Sequence, residues 1–123
     1  MKKIFLTLVF CLPIIFSSAS AQDIYASNKD GYEYYVISET VSREEITHKS
    51  DSGRVFHGAT VTGNVKKIRD GKLIKVQEWK FSGFFGHAAT YFIDGVKSGS
   101  LNSREAEYAH KIMLVMNDCV KSR

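Results

Sequence analysis

The groups in this chain that could do chemistry are few and widely spaced. Its four histidines are His48, His57, His87 and His110. Zinc sites place two ligands within one turn or across a short Cys-x-x-Cys, because that spacing fixes much of the geometry, and no such pair occurs here. His48 with Asp51, joined by His57 from a strand, is the one arrangement that would make a His/carboxylate site; surface histidines are the simpler reading. A serine nucleophile on a G-x-S-x-G elbow is absent. Cys119 shares an apolar stripe with Val115, Met116 and Val120, which predicts a buried thiol rather than a reactive thiolate. Glu44 and Glu45 are adjacent, and Glu105 and Glu107 are two apart on a helix, so neither pair converges on one atom; they read as solvated charges. No catalytic residue, metal or cofactor follows from these groups.

Binding chemistry is better represented. Lys66, Lys67 and Arg69, with Lys72 and Lys75, surround one turn, either as a patch for an anionic partner or as a charged hairpin tip that blocks edge-to-edge pairing. Tyr32, Tyr34 and Tyr35 lie in one segment, and Phe84-Phe85 stands between Gly83 and Gly86. Tyrosine suits contact surfaces because its ring buries area while its hydroxyl stays hydrogen-bonded. Consecutive phenylalanines cannot both point inward from an extended backbone, so one of Phe84 and Phe85 is expected in the core and the other in solvent. The alternative is an aromatic core compensating for absent disulfides.

The elements that position these groups read as strands followed by one helix. Residues 23–27 form a short apolar-polar stretch, and Asp30-Gly31 closes a turn. Residues 32–40 alternate, with Tyr32, Tyr34 and Val36 on one face and Glu33, Tyr35 and Ile37 on the other. Residues 41–53 are polar and fit a helical turn, a charged loop or a short edge strand. Val55, Ala59, Val61 and Val65 share a parity within 54–69, and Asp70-Gly71 joins that arm to 72–82, the signature of a type I′ hairpin. Gly58 and Gly63 within the first arm mark a bulge or a close backbone approach. On the second arm Leu73, Trp79 and Phe81 share one parity and Ile74 and Val76 the other. Residues 82–87 read as a loop, 89–93 as a strand turned by Asp94-Gly95, and 97–100 as a polar loop. Asn102, with Glu105 three residues on and Leu101 as staple, opens a helix. Its stripe runs through Ala106, Ala109, Ile112, Met113, Met116, Cys119 and Val120. The expected fold is α+β: a curled antiparallel sheet of about five strands with one C-terminal helix packed on it.

The chain has 123 residues, and its start has the three parts of a secretory signal peptide. Met1-Lys2-Lys3 is basic, residues 4–16 are apolar apart from Thr7, and Ala19-Ser20-Ala21 supplies the small-residue cleavage pattern at Ala19 and Ala21. The apolar run falls short of the ~20 residues that cross a bilayer. Residues 1–21 are therefore expected to be removed, leaving 22–123 as a single domain in the periplasm or outside the cell, with no membrane span. Of the 17 basic residues Lys2 and Lys3 go with the leader, so 15 remain against 13 acidic ones, a balance of +2. That near-neutral charge and the export signal argue against nucleic acid. With Cys11 in the leader, Cys119 is the one cysteine remaining, with only a second chain to pair with.

Ile24-Tyr25, the run from Gly31 and Tyr32 through Tyr35-Val36, and a hairpin carrying Trp79 resemble small exported bacterial proteins of unknown function. They are also distantly similar to the surface-adhesin protein E group. The likeness spans about half of the mature chain and implies a tyrosine-rich strand in a twisted antiparallel sheet with a helix; it carries no functional residue across. The function expected is an exported, non-enzymatic binding module for another exported protein or a cell-surface component. The alternative is a small periplasmic ligand-binding domain or enzyme with a cleft between helix and sheet.

Overall fold

The computed structural model describes residues 23–122. The leader and its Ala19/Ala21 site lie outside the described residues. Within them the order is β1 (Asp23–Lys29), β2 (Tyr32–Ile37), a 3-10 turn (Ser38–Thr40), β3 (Ser42–Lys49), β4 (Val55–Arg69), β5 (Lys72–Phe84), β6 (Thr90–Ile93), β7 (Val96–Ser100), a second 3-10 turn (Arg104–Ala106) and α1 (Glu107–Lys121). All seven strands join one antiparallel sheet with α1 against one face, so the fold is α+β as expected, with more strands than five.

The two extra strands are β3 and β7. Neither has the apolar alternation that marks a strand in sequence: β3 reads SREEITHK and β7 reads VKSGS. Both gain their conformation from a neighbour's backbone rather than from burial.

The 15-residue β4 organises the sheet. β5 follows one of its edges from Gly58 to Arg69. The other edge is divided: β3 pairs with Val55 to Thr62, and β2 takes over from Val65 to Ile68. The remaining order runs outward through β1 on one side and β6 and β7 on the other. Three Asp-Gly pairs turn the hairpins, with Asp30, Asp70 and Asp94 at φ 52–55° and Gly31, Gly71 and Gly95 at φ 77–85°. Two successive positive φ values define the type I′ turn, whose twist matches the strands it joins.

Alternation sends Tyr34, Val36, Val61, Val65, Trp79, Phe81 and Tyr91 under the helix, where Ala109, Ile112, Met116 and Cys119 meet them. The thiol of Cys119 is buried, as its place on the stripe predicts. Trp79 is fully buried at the centre, its ring parallel to Tyr91 at 5.7 Å and edge-on to Tyr34 and Tyr108 at 6.0 and 5.8 Å. Among the described residues the two buried polar side chains each take part in a hydrogen bond, Trp79 Nε1 donating to Gln77 Oε1 and Ser27 Oγ donating to the Tyr108 carbonyl. Close approach, not a bulge, explains the β4 glycines. A Cβ on Gly63 would come within 2.9 Å of Val41 and Met116, and one on Gly58 would enter the Gly83–Phe84 backbone.

Three local expectations are corrected. The β4–β5 bulge falls beside Lys67 and Ile68, so Leu73, opposite Ile68, leaves the face of Trp79 and Phe81 and joins Val76 on the open side. Ser82, Gly83 and Phe84 finish β5 rather than forming a loop. The helix begins at Glu107 behind a 3-10 turn, and no side chain caps it, so Asn102 does not open it.

Candidate binding cleft

The structure separates the residues singled out for binding. Tyr34 is 6% exposed and belongs to the core. Tyr35 faces the open side of the sheet, its ring edge-on to Tyr25 at 5.5 Å. Tyr32 points to the helix side, where Lys67 Nζ and Arg69 Cζ each stand 4.2 Å from its ring centroid. Arg69 also donates to the Tyr32 hydroxyl and to the Asp30 carbonyl, at 3.1 and 3.0 Å, so its guanidinium clamps the β1–β2 turn. Lys66 emerges on the opposite face and pairs with Asp23 at 2.7 Å. The basic run is therefore divided by strand alternation and is not one patch; Tyr32, Lys67 and Arg69 are the members it brings together.

Burial holds the hydroxyls of Tyr34 and Tyr108 above the ordinary tyrosine value, reinforced for Tyr34 by the charge of Asp30 and for Tyr108 by Tyr91. Neither is a proton carrier near neutral pH. The His48/Asp51/His57 arrangement fails on geometry: His48 lies opposite Phe56 on the open face, while His57 lies opposite Thr47 on the other. Among the described residues no group of three His, Cys, Asp or Glu is placed to hold a metal.

The aromatic pair splits. Phe84 lies opposite Gly58 on the open face, its ring 6.2 Å from those of Phe56 and His48, where it covers the strand the glycine leaves bare. It is half-buried in that satellite cluster rather than in the core under the helix. Phe85, in the turn that follows, is 62% exposed.

Phe85 stands on the rim of a concavity of about 480 Å³ between α1 and the sheet. Its origin lies in side-chain size. On the helix side, Ala59 of β4 pairs with Gly83 of β5, and Ala89 abuts Gly83 so closely that a Cβ there would meet the Ala89 Cα at 2.9 Å. Small residues thus lie where larger ones would reach the helix. Val61 and Phe81 complete an apolar floor, with Met113 and Val120 of α1 and Leu101 as the wall. The polar groups stand around this floor: Arg43 from β3, His87 from the β5–β6 connection, and His110, Asn117 and Lys121 from α1.

No family model, curated protein or solved structure matches the chain. The site is therefore read from its own groups. Among the described residues the lining holds no serine, threonine, cysteine or carboxylate. Its size is that of small-molecule pockets, roughly 300–1,000 Å³, which are mostly apolar with a few placed polar groups. A second depression of about 500 Å³ lies across the helix, lined by Ile24, Glu39, Val115 and Asp118. It is bounded by β1 at the start of the described residues and lacks a sheet floor.

Of the residues expected to bind, Phe85 stands at this cleft, and Phe84 borders it while its ring lies with Phe56 and His48 on the open face. Nothing in the residue order assigns a binding role to Arg43, Ala59, His110, Met113, Asn117 or Lys121. The available signals were the small residues Ala59 and Gly83 in strands with Ala89 just before β6, and Met113 and Val120 extending the helix stripe beyond the width the core fills.

Proposed function

We propose that this chain is an exported, non-enzymatic binding module that holds an apolar group in the cleft between α1 and the sheet. The observation that supports this is the cleft itself: about 480 Å³, floored by Ala59, Val61, Phe81, Gly83 and Ala89, with its polar side chains at the rim. An enzyme needs converging acid, base or nucleophilic groups in its concavity. The polar groups here are cations, imidazoles and one amide, and among the described lining residues neither imidazole has a carboxylate or hydroxyl beside it in the cleft to complete a catalytic pair. The leader-like residues 1–21 support export to the periplasm or beyond. A role in binding another exported protein or a cell-surface component is compatible with a ligand that such a component displays.

The test uses N-phenyl-1-naphthylamine, an uncharged apolar fluorophore. It is expected to bind with one-to-one stoichiometry and to shift the amide resonances of Ala59, Gly83, Gly86 and Asn117. Ala59→Leu should fill the floor and reduce the fluorescence gain, with the thermal transition reporting whether the variant folds. Absence of binding, or resonance shifts confined to the open face around Tyr25 and Tyr35, would remove the cleft as the site.

A further inference from the structure

We infer that the cleft takes a single-chain amphiphilic anion: one carboxylate or phosphate monoester group on one acyl or aryl tail. The tail lies on the sheet and the head at the rim between Arg43 and Lys121. This rests on the reading of the cleft as the binding site and adds the ligand's charge and shape.

The charge argument is local. The whole chain is nearly balanced, with 17 basic and 13 acidic residues, yet among the described residues the ionisable side chains lining the cleft are all basic types: Arg43, His87, His110 and Lys121. Glu45, two residues along β3 on the same face as Arg43, stands outside the lining, and Asp118 faces the depression on the far side of the helix. Among the described residues, neither Arg43 nor Lys121 has a carboxylate partner, whereas Lys66 and Lys111 do. Two unpaired cations beside an apolar floor leave the rim short of an anion.

One feature opposes this, the helix C-terminus near Lys121, with a partial charge of about −0.5. The last carbonyls are already engaged, since Ser122 N–H bonds to Asp118 and Ser122 Oγ to Cys119. Two full positive charges outweigh what remains. The floor sets the other half of the ligand. Its side chains carry no hydrogen-bonding group, so a polar body would lose water there without compensation. The volume of about 480 Å³ fits one tail and not the paired tails of a diacyl lipid.

Isothermal titration of the purified protein with four probes that share a ten-carbon chain separates charge from tail: decanoate, decyl phosphate, 1-decanol and decyltrimethylammonium. Decanoate is expected to bind about tenfold tighter than decanol, a difference of about 1.4 kcal/mol. Decyltrimethylammonium should be the weakest. Raising the salt concentration should reduce the advantage of decanoate and leave decanol unchanged. The double variant Arg43→Gln/Lys121→Gln should bring decanoate to the level of decanol. Comparable binding of decanoate and decyl phosphate supports the shared chemistry, and a preference between them identifies the head group. Equal affinity for decanoate and decanol, or an advantage that survives the double variant, overturns the anion inference while leaving the apolar cleft in place. Failure of all four probes overturns both.

Discussion

At the level of single residues, the tyrosines show how a sequence pattern sorts by environment. Tyr32, Tyr34 and Tyr35 are one motif in the chain, yet alternation gives them a cation-flanked, a buried and an open-face setting. The alternation was legible from residue order; which face the helix covers was not, because that depends on partners far along the chain. The raised ionisation of Tyr34, Tyr35 and Tyr108 has a thermodynamic consequence. The unfolded chain releases these protons near the ordinary value of 10.0, while the folded chain holds them to higher pH. Their contribution is thus fully present below pH 10 and falls as pH rises beyond it. Denaturant midpoints between pH 8 and 11.5 should show a plateau and then a decline; a midpoint that rises above pH 10 would contradict the burial of these rings. Phe85→Ala should change stability by less than about 0.5 kcal/mol, because the exposed ring adds little to folding. It should weaken ligand binding, as calorimetry would show. Gly58→Ala should cost about 1–3 kcal/mol, since the added methyl meets backbone that cannot swing aside.

At the level of elements, turn chemistry was the most legible signal. Asp-Gly at three places yields three turns of the same type, because that pair tolerates two positive φ values and reverses the chain without splaying the strands. Gly71→Val, with its β-branch at φ 77°, should cost about 1–3 kcal/mol, readable as a lower denaturation midpoint with an unchanged slope. Midpoints equal to wild type would mean the tip does not need glycine. The helix was legible from its stripe, although its start was not. The Asn102–Glu105 spacing suits a capping box, but the chain makes a 3-10 turn first and α1 begins at Glu107. The face of Leu73 does not follow from its parity for a similar reason: one bulge beside Lys67 reverses the faces of everything between it and the turn, and bulges carry no fixed residue signature.

At the level of the whole molecule, an aromatic centre does what cross-links do in many domains of this size. Trp79, Phe81, Tyr91, Tyr34 and Tyr108 pack ring on ring beneath and beside the helix. Trp79→Ala should cost about 3–5 kcal/mol, a large fraction of the ~5–15 kcal/mol that holds such a domain, and should leave the protein largely unfolded at 37 °C by circular dichroism. Ala21→Arg should leave a precursor that intact-mass analysis finds uncleaved, if residues 1–21 act as the leader. The cleft was the least legible feature of the molecule, because it arises from side-chain volume missing at Ala59, Gly83 and Ala89. Such residues look unremarkable until β4, β5 and the segment entering β6 set them side by side. The divided edge of β4 has a last consequence, for how the protein opens. β3 offers one half-buried side chain, Ile46, and seven exposed ones, and its ladder runs along β4 only. Amide exchange reads the free energy of such partial openings, which is lowest where few apolar contacts resist. In deuterated solvent β3 should lose protection well before the middle of β4, carrying Arg43 away from the rim each time it parts. A bound occupant held by that guanidinium should slow exchange along the whole of β3, far beyond the single residue it touches.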